Sequence, residues 1–215
     1  MNGRWLVGIL GIVTSGCASV PATVQQHYTL TASESQATRF PVNIHYDTAL
    51  QIAAVDAPSW LNSRDIYYRL LYQDQDSIAA YSQAQWITAP PIIIGRLLTD
   101  HLADTNLWKA VVNADSNAVT NLTLHVNLLE FQQEFTSAKQ SQAVLRARAT
   151  LVDNRSNEVI AQSDFVFQVP AAHADAEGGV AALDKATTDM LNAITQWLMQ
   201  VMGKTEKVSA LEVMP

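Results

Sequence analysis

Cysteine is almost absent from this chain, since Cys17 is the only one among 215 residues. No intramolecular disulfide can form, so packing alone must hold the fold together, even in a compartment that permits disulfides. Glycine is also scarce, with eight residues, which leaves little room for the loops that cradle nucleotide phosphates. Lysine and arginine form no dense block. Nucleic acid is therefore not expected as a partner, because phosphate binding requires clustered cations.

Long apolar runs are equally rare, and the clearest one lies at the N-terminus. Arg4 precedes the apolar run 5–13, which is far shorter than the roughly 20 residues of a membrane-spanning helix. A positive residue, a short apolar segment and then small residues are typical of a cleaved export signal. The first segment of the chain therefore predicts export.

Cys17 stands at the end of this signal, directly after Ser15 and Gly16. Small residues followed by a lone cysteine resemble a bacterial lipobox, in which the thiol receives a diacylglycerol and the freed amine is acylated. Thr14 departs from that pattern, because lipoboxes usually carry leucine there. The alternative is an ordinary signal peptide that is cleaved nearby. We predict that residues 1–16 form the signal peptide and that Cys17 is lipidated.

The residues after Cys17 predict a tether and a destination. Residues 17–27 are small and polar and include a proline, as a flexible connection between lipid and domain requires. Ala18 follows the cysteine, and in enteric-type bacteria it is aspartate at this position that favours retention in the inner membrane. We therefore predict a lipid anchor in the inner leaflet of the outer membrane, facing the periplasm.

The remaining composition is that of one acidic globular domain. The chain is 48% hydrophobic, and its formal net charge of -7 is spread along the sequence. We interpret this acidity as a determinant of solubility. A chain of about 200 residues suits one domain, which we place at residues 28–203, with a flexible tail at 204–215.

Alternation of apolar and polar residues predicts about seven strands. The first three, near 50–54, 66–72 and 77–81, are expected to form an antiparallel meander. Alternation slips by one residue at Leu128 and Leu129, which indicates either a β-bulge or a strand that becomes buried on both faces. The later strands are predicted at 108–112, 122–135, 144–152 and 159–169.

Two amphipathic helices complete the prediction. Thr88 is expected to cap the first, Pro90 and Pro91 suit its first turn, and its end is predicted near Thr105. The second helix is predicted from about Glu177 to Met202, with Gly203 just past its end. Its apolar side includes Trp197, which we expect to be largely buried, and its polar side includes Thr188 and Asn192. Together the elements predict an α+β fold in which both helices pack on one face of an antiparallel or mixed sheet.

Signatures of catalysis are missing from the sequence. The five histidines lack metal-ligand spacing and no serine has a nucleophile-elbow setting. Gly178 and Gly179 are not followed by the Lys-Ser/Thr ending of a phosphate-binding loop, so they predict a helix start. We expect no enzyme activity, no metal and no cofactor.

An aromatic-rich stretch between residues 60 and 86 is the most suggestive feature of the domain. Core packing explains such a stretch, and a partner-binding surface is the alternative, since tryptophan and tyrosine anchor interfaces. Alternation puts Tyr68 and Tyr72 on the core side and leaves Tyr67 and Arg69 on the other face. The candidate partner-binding residues are therefore Trp60, Tyr67 and Arg69. The outward Arg146 and Arg148 suit either the rim of such a surface or a solvated sheet face.

Several segments resemble the ABC-type transport auxiliary lipoproteins, the PqiC-like family. The resemblance lies in hydrophobic and aromatic patterns that cover nearly the whole mature chain. They are the lipobox, His27-Tyr28-Thr29-Leu30, residues 52–60, Asp65-Ile66-Tyr67-Tyr68-Arg69, residues 81–86 leading into Ala89-Pro90-Pro91, and Leu129-Glu130-Phe131-Gln132-Gln133-Glu134-Phe135.

This resemblance implies both a fold and a role. The fold implied is α+β and similar to the N-terminal domain of TolB. The role implied is that of a non-enzymatic periplasmic lipoprotein that works with an MCE-domain protein and an ABC transporter in lipid movement between two membranes. Association of several copies is a further expectation. The alternative function is a structural, envelope-assembly lipoprotein that binds other proteins without a role in lipid transport.

Overall fold

The computed structural model of the protein describes residues 24–32 and 44–212, with side chains up to residue 204. It confirms the predicted fold class, because one mixed sheet of eight strands carries two long helices. Cys17 and the signal segment lie outside the described residues. The strands are β1 Gln26–Tyr28, β2 Tyr46–Ile52, β3 Asp65–Leu70, β4 Ala79–Trp86, β5 Trp108–Val112, β6 Leu122–Ser137, β7 Gln140–Asp153 and β8 Glu158–Pro170; the helices are α1 Pro90–Asp104 and α2 Ala176–Glu212, with a short 3-10 helix at Ser59–Asn62.

Strand β6 organises the sheet. One of its edges pairs with β7 in antiparallel register, and β7 pairs in turn with β8. Its other edge pairs in parallel with two strands, one after the other. The first is β2, where Ile52 lies opposite Leu124, and the second is β3, where Tyr68 lies opposite Gln133. Strand β5 extends the sheet beyond β2, while β4 and then β1 extend it beyond β3.

The predicted antiparallel meander of the first three strands is therefore wrong. Of these three strands, β2, β3 and β4, only β3 and β4 form an antiparallel pair with each other. Strand β2 pairs in parallel with β5 and β6. Local alternation identifies a strand that has one buried face, but it carries no information on a partner that lies some 70 residues away in sequence.

The predicted β-bulge in β6 is confirmed. Pairing with β7 shifts register between Leu128 and Glu130. The extra residue keeps the apolar side chains on the helix-covered face, because Leu128 before the bulge and Phe131 after it are both buried. The polar Glu130 and Gln132 consequently lie on the opposite face of the sheet.

Helix α1 begins and ends close to the prediction, but its N-cap residue differs. The cap is Ala89 and no side chain caps the helix, so the role predicted for Thr88 is wrong. Pro90 and Pro91 occupy the first turn, where the missing N–H groups cost no helical hydrogen bond. The chain leaves the helix after Thr105 through Asn106, whose φ of 55° is left-handed.

Helix α2 is longer and more deeply buried than predicted. It continues through Gly203 to Glu212, so the predicted end at Met202 is wrong. Thr188 and Asn192 are buried rather than on a solvated face. The same side of α2 is contacted by the chain after β1, because Asp184 accepts hydrogen bonds from the backbone N–H groups of Thr31 and Ala32 at 2.7 and 3.0 Å. In the described ranges, no helix has both the length and the apolar character needed to cross a membrane.

Trp197 packs against the hydrophobic core but is not fully buried, so its predicted burial is confirmed in part. Its ring packs edge-on against Phe165 of the outer strand β8, with ring centroids 6.1 Å apart. Truncation of a partly buried ring costs less stability than truncation of a ring in the core. We therefore expect Trp197→Ala to lower the free energy of unfolding by about 1–2 kcal/mol. Chemical denaturation checks this, with the buried Leu198→Ala as the comparison, expected to cost about 2–5 kcal/mol. A larger loss at Trp197 than at Leu198 would contradict the packing described.

Candidate partner-binding surface

Tyr67 and Arg69 lie together on the sheet face that the helices leave open. Their neighbour Tyr68 is opposite Gln133, which lies against the first turn of α2. Side chains alternate along a strand, so Tyr67 and Arg69 point to the other face. Ile66, which shares the side of Tyr68, is fully buried as predicted.

Tyr67 is less free than the sequence suggests, because the 3-10 helix covers part of it. Trp60 meets its ring edge-on, with centroids 5.1 Å apart. The Tyr67 hydroxyl lies 3.1 Å from Ser63 Oγ and donates to Asp65 Oδ2 at 3.2 Å. Tyr67 is therefore a half-buried, fixed side chain that supports Trp60, rather than an exposed anchor standing alone.

Arg69 is also fixed from both sides. Its Nε donates to Gln132 Oε1 at 3.3 Å, and its Nη1 donates to the Gln75 carbonyl oxygen at 3.4 Å. These bonds orient a guanidinium that stays half-buried at the open face. Trp60 contacts Tyr67, and Arg69 lies two residues further along the same face of β3; we call these three residues the Trp60 surface.

The predicted outward arginines of β7 lie on the same face of the sheet in cross-strand ion pairs. Arg148 binds Asp164 through two bonds of 2.6 and 3.1 Å, and Arg146 contacts Glu130 at 3.0 Å. The hydrogen bond from Arg148 lowers the pKa of the Asp164 carboxyl. These exposed pairs are typical of a solvated sheet face and contribute little stability each.

Most of the remaining aromatic residues in the stretch pack inward. Trp86 is buried against Phe131, and Tyr68 contacts Tyr81 and Phe135. Tyr72 lies beyond the end of β3 and is 45% exposed, so its predicted place in the core is wrong. Core packing therefore accounts for most of the stretch.

A buried polar cluster at the start of α2 was missed from the sequence. Gln133 is fully buried, accepts a hydrogen bond from the Tyr81 hydroxyl at 2.8 Å, and donates to Ser141 Oγ at 2.8 Å and to the Asp175 carbonyl oxygen at 3.1 Å. Burial raises the pKa of Tyr81, which keeps its hydroxyl protonated as the donor. Gly179 lies directly over Gln133. The available signal was the adjacent pair Gly178 and Gly179, which lies in the first turn of α2, and the predicted helix start is confirmed.

An open groove lies between α1 and the carboxyl ends of β2 and β5, and it was also missed from the sequence. Its volume is about 510 Å³. The walls are residues 52–55 with Asn62, one side of α1 between residues 91 and 100, and residues 113–115. We call this cavity the α1 groove. Asn62 belongs to the same 3-10 helix as Trp60, so the groove and the Trp60 surface share one element.

Residues suited to metal chemistry do not converge in the part of the chain that the structure describes. Within residues 24–32 and 44–212, no three side chains of His, Cys, Asp or Glu lie close enough to hold a metal ion. The open face instead offers aromatic and guanidinium groups that suit contact with another macromolecule.

The comparisons with known proteins agree with this description. The family model described as "ABC-type transport auxiliary lipoprotein component" matches residues 28–195. The fold is similar to the crystal structure of protein XCC0632 from Xanthomonas campestris, of the DUF330 family model, with 17% identity, a TM-score of 0.74, and coverage of 85% of this chain and 99% of that one. The fold is also similar to the crystal structure of an uncharacterized protein, with 13% identity, a TM-score of 0.64, and coverage of 81% of this chain and 99% of that one. No curated protein matches the sequence.

Proposed function

Because the chain belongs to the family of ABC-type transport auxiliary lipoprotein components, we propose that it is the accessory lipoprotein of an MCE-type intermembrane lipid transport system. It is held at the inner leaflet of the outer membrane and docks the transport partner there. The observation that carries the proposal is the family match over residues 28–195. The partners are an MCE-domain protein and the ABC transporter of the same system, and association of several copies is part of the proposal.

The anchor follows from the N-terminal sequence. Lipidation of Cys17 with a diacylglycerol and a further acyl chain gives stable anchoring, whereas one chain alone is marginal. Residues 18–25 then separate the lipidated Cys17 from β1, which begins at Gln26. Extended chain spans at most about 3.5 Å per residue, so the tether permits the domain to stand clear of the bilayer.

Docking is the part of the proposal that the Trp60 surface supports. A tryptophan braced by a tyrosine beside an oriented arginine has the composition of an interface hot spot. Removal of such anchors costs about 2 kcal/mol or more of binding free energy. We therefore place the contact with the partner at Trp60, Tyr67 and Arg69.

The double variant Tyr67→Ala with Arg69→Ala tests this placement. We expect at least a tenfold loss of the MCE-domain protein that co-purifies with the lipidated protein from membranes. Tyr67 is half-buried and hydrogen bonded, so a modest drop in melting temperature is also expected, with a cooperative melt retained.

The matched control is Tyr72→Ala with Arg155→Ala, which removes an exposed tyrosine and an exposed arginine elsewhere. It should leave co-purification unchanged. Equal yields of partner from the two double variants, or a collapsed melt for the first, would refute docking at the Trp60 surface. If the wild-type protein recovers envelope proteins but no MCE-domain protein or ABC transporter, the envelope-assembly alternative is favoured instead.

A further inference from the structure

The α1 groove has the apolar floor and polar rim of a binding site. Ile52 is buried at its base, and Val55 lines the wall opposite α1. Its volume of about 510 Å³ falls within the range of ligand pockets, which is roughly 300–1,000 Å³. At its edge Ile92 is 64% exposed, so a large aliphatic side chain is available there for contact with an apolar group.

Gly95 creates the open space of the groove. It is the one glycine in α1, and a Cβ added there would meet only Val55 Cγ2, at 3.4 Å. This contact is ordinary, so helix packing does not require a glycine at this position. Glycine inside a helix costs about 0.5–1 kcal/mol relative to alanine. The absence of a side chain here therefore serves the shape of the groove.

The charges at the rim select the chemistry of the occupant. Asp100 and Asp115 contribute two carboxylates, against the single guanidinium of Arg96. Arg96 already contacts Asp100 at 3.8 Å, and both side chains are largely exposed. The rim thus has a formal excess of one negative charge, which favours a cationic group.

The backbone at the start of α1 offers few hydrogen-bond donors to a phosphate group. Pro90 and Pro91 have no backbone N–H, and the N–H groups of Ile92 and Ile93 both donate to the Ala89 carbonyl oxygen. The start of α1 therefore lacks the free amides that bind anions at other helix N-termini. Among the residues that line the groove, Arg96 is the single cation beside two carboxylates, so an anionic phospholipid headgroup fits the rim poorly.

We propose that the α1 groove receives an amphipathic segment of the transport partner, with an apolar side chain against Ile92 and Val55 and a lysine or arginine at Asp100 and Asp115. The identification of the transport partner as the protein that supplies this segment rests on the proposed function. The groove adjoins the Trp60 surface through the 3-10 helix, so one partner can engage both.

The first experiment uses peptides as probes on the full lipidated protein in phosphatidylcholine nanodiscs. Two 15-residue amphipathic peptides share a leucine stripe and differ only in lysine against glutamate on the polar face. Binding in the groove is measured by NMR as chemical-shift changes of the methyl groups of Ile52 and Ile92, which line it. The methyl groups of Ile78 and Ile160, outside the groove lining, serve as controls. We expect saturable shifts at the groove methyls and a Kd at least tenfold lower for the lysine peptide.

Variants at Gly95 and Ile92 tie the binding to the groove. Gly95→Met fills the space and should abolish the shift of Ile52, whereas Gly95→Ala should retain binding and fold at least as stably. Ile92→Ser removes an exposed apolar side chain without adding charge, so the cooperative melt should be retained while binding weakens about tenfold or more. Equal affinity for both peptides, no shift at the groove methyls, or shifts caused by short-chain phosphatidylglycerol instead of the lysine peptide would overturn the proposal.

The second experiment separates the groove from the proposed function. Gly95→Met should reduce co-purification of the MCE-domain protein at least tenfold, and Gly95→Ala should not. If the wild-type protein brings down no MCE-domain protein, the proposed function fails, while the peptide measurements still decide the groove. If the peptides bind and Gly95→Met leaves co-purification unchanged, the assignment of the groove to the transport partner is wrong.

Discussion

Gly179→Ala should be among the most destabilising single substitutions in this protein, with an expected loss of about 3 kcal/mol or more in the free energy of unfolding. The added methyl group would overlap with Oε1 of Gln133. Gln133 cannot move away cheaply, since it is fully buried and holds Tyr81, Ser141 and Asp175. Overpacking costs about 1–3 kcal/mol, and each buried polar group left without a partner costs about 1–3 kcal/mol more.

Gly203→Ala is the matched control for this prediction, because it lies in the same helix and no atom lies within 4 Å of an added Cβ. Helix propensity alone operates there, so stability should be unchanged or should rise by up to about 1 kcal/mol. Urea denaturation measures both variants. A Gly179→Ala protein as stable as Gly203→Ala would show that α2 does not approach β6 as described.

Gln133→Ala provides a second check through a double-mutant cycle. That substitution destabilises the protein, because the Tyr81 and Ser141 hydroxyls lose their partner. It also removes the atoms that the new methyl group would strike. Gly179→Ala should therefore cost close to nothing in the Gln133→Ala background, which gives a coupling free energy of about 3 kcal/mol.

Cys17→Ala should abolish anchoring of the protein altogether. Cys17 is the only thiol in the chain, so no other side chain can accept a thioether-linked diacylglycerol. We expect an unprocessed or mislocalised precursor of higher apparent mass, measured by membrane fractionation and mass spectrometry. A variant of normal mature size that still fractionates with the outer membrane would refute lipidation at Cys17.

Ala18→Asp is the companion variant, because it leaves the cysteine in place and changes only the sorting position. In an enteric-type host the protein should remain lipidated and processed but shift from the outer to the inner membrane. Outer-membrane fractionation that is unchanged by this substitution would contradict the proposed sorting, while leaving the lipidation itself intact. The two variants therefore test the anchor and its destination separately.

The sequence alone determined the parts of this protein that depend on neighbouring residues. Alternation located most strands, and the phase slip at Leu128 and Leu129 located the bulge that the register of β6 confirms. Pro90 and Pro91 marked the start of α1. Hydrophobic and aromatic patterns were sufficient to identify the family, since the family model matches residues 28–195. These signals are local, because side-chain period and turn chemistry act over a few residues.

Tertiary structure decided every feature that depends on residues distant in sequence. It placed β2 and β3 in parallel along one edge of β6, and it buried Thr188 and Asn192, whose polar character suggested a solvated face. It also covered part of Tyr67 with Trp60. The α1 groove exists only because α1 packs over the carboxyl ends of two strands that are far apart in sequence. Packing and strand pairing across long sequence separations are non-local, so no periodicity within a single element could have indicated them.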